Sequence, residues 1–107
     1  MNIKLVEGNT KHLNISVKDD QGKPKDLKDF TAFFYVEKLG LHKQCDIDFN
    51  ILTTVILPKE TAGKVTKKST SFPFEIRIFN GEDEIYTVLE GDLVIEKTVY
   101  PNGGLQQ

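Results

Sequence analysis

The stretch "FPFEIRIFNGEDEIY", residues 72–86, decides the fold because its first half is apolar at every second position. Every second residue from Phe72 to Ile78 is apolar, whereas Glu75 and Arg77 between them are charged. Neighbouring residues of a strand point to opposite faces, so this alternation predicts a strand with one buried and one wet face. Asn-Gly at 80–81 follows directly, and both residues tolerate positive φ, so we predict a hairpin turn there.

Consecutive carboxylates at Glu82, Asp83 and Glu84 follow this turn and form the densest acidic cluster of the sequence. A metal site or an acid–base pair requires side chains that converge from several elements. Consecutive side chains at the start of a strand diverge instead, because neighbours point to opposite faces. We therefore interpret the three carboxylates as the solvated tip of the hairpin.

The same alternation recurs along most of the chain and predicts an all-β fold. The predicted strands cover residues 2–7, 12–18, 31–38, 45–51, 53–57, 72–79 and 84–99. The last segment is too long for one flat strand, and we predict that Gly91 marks a bulge or bend that splits it. Pro58 and Gly63 bound a short stretch of good helix formers, which predicts one helical turn over residues 58–63.

Short strands separated by turn residues predict an antiparallel immunoglobulin-like β-sandwich of about seven or eight strands, rather than alternating βαβ units. A length of 107 residues is that of one domain, which we assign to residues 1–100. The remaining residues, 101–107, read "PNGGLQQ" and are predicted to be a flexible tail.

Composition and charge argue against several classes of partner. The formal net charge is −2, so no overall basic field favours nucleic acid or an anionic membrane. The sequence has neither an apolar run long enough for a membrane helix nor a recognisable secretory signal. Cys45, as the single cysteine, cannot form an internal disulfide, so the fold does not require an oxidising compartment.

The pattern D-x-D-x-N at Asp46, Asp48 and Asn50 resembles the start of an EF-hand calcium loop. In that register the obligatory glycine would fall at Ile51 and the bidentate glutamate at Leu57. The apolar residues between the acids fit a strand better, with their side chains directed inward. A cation bound jointly by this strand and a loop is left open.

Other candidates for chemistry are isolated from one another in the sequence. His12 lies on a polar strand face and His42 in "LGLHKQ", which we interpret as a loop, so both are predicted to be surface histidines. Cys45 is predicted to be a small buried hydrophobe. The segment 63–70, "GKVTKKST", is interpreted as a loop or a lysine-protected edge strand. We predict no catalysis, no cofactor and no metal.

Three stretches of the chain carry a common pattern of turns and strands. They are "EGNTKHLNISVKDDQGKPKDLKDFTAFFYVEK" (7–38), "ILPKETAGKV" (56–65) and "FPFEIRIFNGEDEIYTVLEGDLVIEKTV" (72–99). They resemble, in turn, the opening strands and turns, the crossover and the closing hairpin of the N-terminal domain of phage baseplate upper proteins and its immunoglobulin-like relatives in tails, necks and heads. The resemblance runs from about Leu5 to Val99 and consists of structural positions without a catalytic signature.

The resemblance implies turn and crossover roles for specific residues. Those positions are Gly8, Gly22, Pro24, Asp26, Leu27, Leu57, Pro58, Thr61, Gly81 and Gly91. It also implies assembly in copies, and Tyr86 and Tyr100 are the tyrosines that we expect at such contacts, the alternative being plain core or rim packing. Strand 2–7 and the last segment are the expected free sheet edges.

The function that the resemblance implies is that of a non-catalytic structural protein of the virion, assembled in the host cytoplasm and docked to other virion proteins as a homo-oligomer. In baseplate upper proteins a long fibre or receptor-binding region follows such a domain, whereas this sequence ends at Gln107. We therefore expect a stand-alone adaptor, plug or decoration subunit. The alternatives are a monomeric ligand- or carbohydrate-binding sandwich, and a small phage protein that binds a host protein.

Overall fold

The computed structural model describes residues 2–81 and 84–98. Within these ranges the chain forms seven strands. Their bounds are β1 Asn2–Val6, β2 Lys11–Ser16, β3 Thr31–Val36, β4 Leu41–Asp48, β5 Ile51–Ile56, β6 Ser69–Asn80 and β7 Glu84–Glu96. A short helix α1, Pro58–Thr61, and a single 3-10 turn, Glu37–Leu39, interrupt the strands. The predictions of an all-β sandwich and of a helical turn near 58–63 are confirmed.

Hydrogen bonding joins the strands in the order β1-β7-β6-β3-β4-β5-β2. Strand β4 changes partner along its length: Leu41 to Cys45 pair with β3, and Asp46 to Asp48 pair with β5. β4 therefore belongs to both layers, with β1, β7, β6 and β3 on one side of it and β5 and β2 on the other. We call the first layer sheet A and the second sheet B.

The core lies between the two layers and follows the alternation seen in the sequence. Phe34, Ile76 and Ile78 of sheet A and Leu52 and Ile56 of sheet B are each 0% exposed. A side chain of this kind gains about 1.5–3 kcal/mol by complete burial, so these inward rows supply most of the driving force for folding. The polar residues that alternate with them along the strands lie on the outer faces, as predicted.

One strand pair differs from the antiparallel prediction. Five of the six strand pairs within the described ranges are antiparallel, but β1 runs parallel to β7, from Asn2 beside Asp92 to Val6 beside Glu96. The reason is the connection: β1 passes through a short turn directly to β2 in the other layer, so it never forms a hairpin with its sequence neighbour. As predicted, β1 is an edge strand.

Strand β7 is continuous at Gly91, so the predicted split there is wrong. Gly91 pairs with Phe74 within an unbroken ladder. The irregularity lies three residues earlier, because Ile76 pairs with Leu89 but Arg77 pairs with Thr87. Val88 is thus the extra residue of a β-bulge.

Two segments differ from their predicted secondary structure. His42 is part of β4 rather than of a loop, since the 3-10 turn ends at Gly40, which has φ of 68°. The predicted strand 45–51 ends at Asp48, and Phe49, predicted to face the core, is 54% exposed in the turn to β5. Of the two interpretations of 63–70, the loop is correct up to Lys68, after which the chain enters β6, an interior strand.

A buried polar cluster fixes the crossover from β5 to β6 against β1. Glu7 is 1% exposed, and its carboxylate accepts hydrogen bonds from the Gly63 N–H at 2.7 Å and the Thr98 N–H at 3.3 Å. Thr61 is 0% exposed, and its hydroxyl oxygen accepts from the Gly8 N–H at 2.9 Å. Buried polar groups are tolerated when paired in this way, so the cluster joins three segments that are distant in sequence.

Candidate interaction surface

The outer half of β7 extends beyond the strand that would cover its edge. β1 pairs with Asp92 to Glu96 only, so Glu84–Gly91, which we call the arm, has a strand neighbour on one side alone, namely β6. Half of the backbone N–H and C=O groups of an edge strand point away from its sheet and remain available to another chain. The arm is therefore an open strand edge.

The side chains of the arm are exposed on both faces. Ile85 is 54% exposed and Tyr86 is 47% exposed, although both are large apolar residues. The Tyr86 hydroxyl donates a hydrogen bond to Glu84 Oε2 at 3.0 Å. This hydrogen bond, together with the charge of the Glu84 carboxylate, raises the pKa of Tyr86 above its ordinary value. The tyrosine is thus held as a neutral donor at the end of the arm.

β2 also provides an open edge, in addition to the arm and to the outer edge of β1. It pairs with β5 along Lys11 to Ser16, and it ends the strand order of sheet B. The segment that follows β2 and the arm line a common cleft of about 420 Å³, whose lining includes Val17, Lys18, Asp19, Asp20, Ile78 and Tyr86. We call this side of the sandwich, between the arm and residues 11–18, the seam. It is the side where the continuous ladder of strands does not close.

The solvent-facing side of sheet A carries a cluster of aromatic rings, which we call the aromatic face. Its members are Phe33, Tyr35, His42 and Phe79. The Phe33 ring lies 4.9 Å from His42 and 5.8 Å from Phe79, and His42 lies 4.7 Å from Tyr35. Both Phe33 contacts are edge-on, at 64° and 77°. Such contacts stabilise the face but do not present a coplanar platform.

An acidic groove of about 500 Å³ lies beside the aromatic face, between the 3-10 turn and β7. Glu37, Glu90 and Asp92 line it together with Tyr35. In addition, Glu75 lines the groove and forms an ion pair of 2.7 Å with Arg77. Both groups of that pair are partly exposed, so the pair contributes little to stability.

The described residues include neither a metal-binding group nor a reactive cysteine. Within residues 2–81 and 84–98, no group of three or more His, Cys, Asp or Glu side chains is arranged to hold a metal ion. Burial, and secondarily the charge of Asp46, raises the pKa of the Cys45 thiol from 9.0 to about 11. The thiol is therefore protonated at neutral pH, when a nucleophilic cysteine would need to be a thiolate. Asp46 and Asp48 point to solvent from β4, as the strand interpretation predicts.

The turn positions named from the sequence fall mostly in turns. Gly8, Gly22 and Gly81 have φ of 80°, 79° and 69°, values that favour glycine. Pro24 forms an isolated bridge with Lys18, and Pro58 is the first residue of α1. Gly91, as described above, lies within a strand.

The two tyrosines predicted at interfaces have different outcomes. Tyr86 lies on the arm, and its ring contacts Phe30 at 6.4 Å between centroids. Tyr100 lies outside the described residues, as do Glu82, Asp83 and the predicted tail 101–107. Of the acidic cluster, Glu84 is exposed at the start of β7, where it accepts the hydrogen bond from Tyr86.

Sequence reasoning missed the seam and the aromatic face. The β2 edge was not identified because alternation shows which side chains face the core, not which strands are neighbours. The aromatic face had a signal that was not used: Phe33 and Tyr35 alternate with buried residues in β3, so both must share the outer face.

The fold and these surfaces define an all-β sandwich with one open side and an exposed strand edge. No protein-family model matches the chain, and no curated protein matches it significantly. No helix among the described residues is long and apolar enough to cross a membrane.

Proposed function

We propose that the chain is a non-catalytic structural subunit of a bacteriophage or prophage virion. In this role it acts as a small adaptor or decoration protein that docks other tail, baseplate, neck or head proteins and assembles in copies. The observation that carries the proposal is the arm, Glu84–Gly91, an open strand edge with Ile85 and Tyr86 exposed beside it.

The arm has the properties of a strand-addition surface. A partner segment that pairs with an open edge gains main-chain hydrogen bonds, and side-chain contacts on the two faces add specificity. Tyrosine is enriched at the centres of protein interfaces because it combines a large apolar ring with a hydroxyl group. Tyr86 lies on the arm in the position to provide such a contact.

Several positions named from the resemblance to the phage domains form hydrogen bonds within the sandwich. Gly8 and Thr61, which are 53 residues apart in sequence, are joined by a hydrogen bond of 2.9 Å. Asp26 Oδ1 accepts a hydrogen bond from the Lys28 N–H, and the Leu27 N–H donates to the Phe49 carbonyl at 2.8 Å. These positions therefore maintain the sandwich and its turns, as expected for a structural pattern.

The experiment is to detect the protein in intact particles and to locate its neighbours. Particles are purified by density gradient and treated with a carbodiimide, which links carboxylates to nearby lysines, and the products are identified by mass spectrometry. We expect the protein in particles, with cross-links from Glu84 or Glu90 to other virion proteins. Absence of the protein from particles would overturn the proposal.

Substitutions in the arm and outside it test whether the arm makes the contact with other virion proteins. Replacing Ile85→Ser together with Tyr86→Ser is expected to reduce incorporation into particles about tenfold, the usual effect of losing one interface contact. Leu57→Ser is the control, since Leu57 is an apolar residue, 37% exposed, that lies outside the arm. Equal incorporation of all three proteins would exclude the arm as the docking surface.

A second candidate function is that of a carbohydrate-binding module, and the aromatic face is the observation that favours it. Sugars bind to exposed rings on a sheet face, but here Phe33 meets His42 and Phe79 edge-on and is tilted by 34° from Tyr35. A glycan array tests this candidate: specific binding that is lost in Phe33→Ser would support it. Absence of binding to any glycan would remove it.

A further inference from the structure

We propose that a second copy of this chain covers the seam: two copies join about a two-fold axis parallel to the strands, and the arm of each pairs with β2 of the other. This inference deepens the proposed function by naming one partner, and it rests on the same arm. It follows from the positions of the two open edges, from their charges and from their lengths.

The arm edge and the β2 edge lie on one side of the molecule and at the same level. Val17 and Lys18, at the end of β2, line the same cleft as Tyr86 and Val88 of the arm. The other end of β2 lies toward the opposite end of β7, because Glu7 bonds to the Glu96 carbonyl at 2.8 Å and only residues 8–10 separate it from β2. β2 and β7 therefore run in opposite directions along the seam.

Rotation about a two-fold axis parallel to the strands exchanges the positions of the two layers. Every residue keeps its height along the strand direction. When two copies face each other across the seam, sheet A of one copy meets sheet B of the other. The arm then lies beside the partner's β2 edge, antiparallel to it, and the same contact occurs twice. Such a self-complementary arrangement is the commonest form of homodimer.

The charges of the two edges are opposite. Residues 84–91 contain Glu84 and Glu90 and no basic residue, whereas residues 11–18 contain Lys11, His12 and Lys18 and no acid. Asp19 and Asp20 follow Lys18 and line the same cleft, so the contrast is greatest at the start of β2, at Lys11 and His12. Pairing of two arms with each other, centred on Thr87, would place Glu84 opposite Glu90 twice, and like charges in opposite positions are unfavourable. Pairing of an arm with β2 avoids that conflict, so the charges select this partner.

The spacing of the charges also agrees with antiparallel pairing at equal level. The bulge at Val88 removes one position from the ladder of the arm, so Glu84 and Glu90 are five ladder positions apart, about 17 Å along a strand. When Glu90 lies opposite His12 of the second copy, Glu84 therefore lies opposite Val17 and beside Lys18. In this register Tyr86 lies opposite Ile15, and both residues are on the core-facing side of their strands.

Charge reversal on each edge tests the proposal by sedimentation equilibrium across a wide concentration range. The unaltered protein is expected to reach twice the chain mass of 12.1 kDa. The arm variant, Glu84→Lys with Glu90→Lys, and the β2 variant, Lys11→Glu with Lys18→Glu, are each expected to weaken self-association about 100-fold, as for loss of close charge pairs at an interface. Lys67→Glu with Lys68→Glu is the control for the β2 variant, because it makes the same change of net charge in the loop before β6.

Mixing the two variants distinguishes edge pairing from a general effect of charge. The arm variant and the β2 variant are complementary to each other at both contacts, so an equimolar mixture is expected to form the dimer again. A chain that carries all four reversals is also expected to dimerise, which shows that the substitutions leave the fold intact. Failure of both to restore association would overturn the proposal.

Other outcomes have equally defined meanings. A protein that stays monomeric at millimolar concentration would overturn the inference, as would assemblies larger than the dimer that grow with concentration, since those require an open head-to-tail contact. The particle experiment is independent of these results. A monomer found in particles would refute the dimer but not the virion role, and a dimer absent from particles would do the reverse.

Discussion

Phe49 has a backbone conformation that its side chain disfavours. Its φ is 55°, in the left-handed region where a bulky residue is unusual. The conformation is imposed by neighbours, because the Phe49 carbonyl accepts from the Leu27 N–H at 2.8 Å and the Asn50 carbonyl from the Val17 N–H at 2.9 Å. These bonds fix the turn between β4 and β5 against the segment that precedes β3.

Replacing Phe49→Asn is expected to stabilise the protein by about 0.5–1 kcal/mol, because asparagine tolerates positive φ. The ring is 54% exposed, so its removal sacrifices little burial. Urea unfolding gives the measurement, and Phe49→Ala is the control because it removes the ring without adding the polar side chain that favours the left-handed conformation. If the Asn variant is no more stable than the Ala variant, the backbone conformation is not strained.

Cys45 makes stability depend on pH in the alkaline range. Its pKa is about 11 in the folded protein, against 9.0 ordinarily, so the unfolded chain loses its thiol proton first as pH rises. The contribution of this group is complete below pH 9 and is lost between about pH 9 and pH 11, at up to about 1.4 kcal/mol per pH unit. Cys45→Ala is expected to show a shallower decline in free energy of unfolding over that interval. Identical slopes would contradict the assigned burial.

At this scale the sequence predicted the core better than the turns. Ile76 and Ile78 were placed inward by alternation, and both are fully buried. Phe49 was placed inward by the same rule, which fails there because the alternation of residue types continues into a turn that has no glycine to mark it. Burial follows from periodicity only while the chain remains a strand.

Among the elements, the junction of β1 with the crossover depends on Glu7. Glu7→Ala is expected to destabilise the protein by about 2–4 kcal/mol, since it leaves the N–H groups of Gly63 and Thr98 without their charged acceptor. Thermal or urea unfolding measures the loss. Glu37→Ala, an exposed glutamate on the 3-10 turn, is the matched control and is expected to change stability by less than about 0.5 kcal/mol. A loss of under 1 kcal/mol for Glu7→Ala would show that water replaces its role.

The two halves of β7 are expected to differ in hydrogen exchange. Amides of the arm, Glu84–Gly91, have a strand on one side only, whereas Asp92–Glu96 lie between β1 and β6. In dilute protein the arm amides are therefore expected to exchange faster than those of the covered half. Exchange measured by NMR residue by residue provides the check, and equal protection of the two halves would mean that the arm edge is not open.

Element positions were predictable from the sequence, but pairing was not. The strands and the helical turn at Pro58 were found from alternation and turn residues. The parallel pairing of β1 with β7 joins residues about 90 apart in the chain, as for Ile3 and Leu93, and no local pattern encodes such a contact. The bulge at Val88 was assigned to Gly91 because glycine is the usual signal, whereas a valine gives none.

The whole domain is expected to unfold in one step. The two layers share β4 and a single core, and the domain measures 47 × 26 × 22 Å. Loss of either layer would expose the core side chains of the other, so partial unfolding is unfavourable. Calorimetry is expected to give equal calorimetric and van 't Hoff enthalpies of unfolding. A ratio of calorimetric to van 't Hoff enthalpy well above one would indicate separate folding units.

At the same scale the sequence predicted the class of fold, whereas the role of Tyr86 at a contact stays a prediction. Tyr86 was expected at a contact and lies on the arm. The position of β2 at the end of the strand order leaves its basic residues at an open edge. That order is a property of the folded chain.

Because β4 bonds to a neighbour in each layer, it fixes the angle between the layers along one side of the molecule. A pivoting motion about this strand would keep the hydrogen bonds of the ladder, but it would strain the bonds that Glu7 and Thr61 form between β1 and the crossover. The opening between the arm and β2 could therefore change its width only as far as these buried bonds allow.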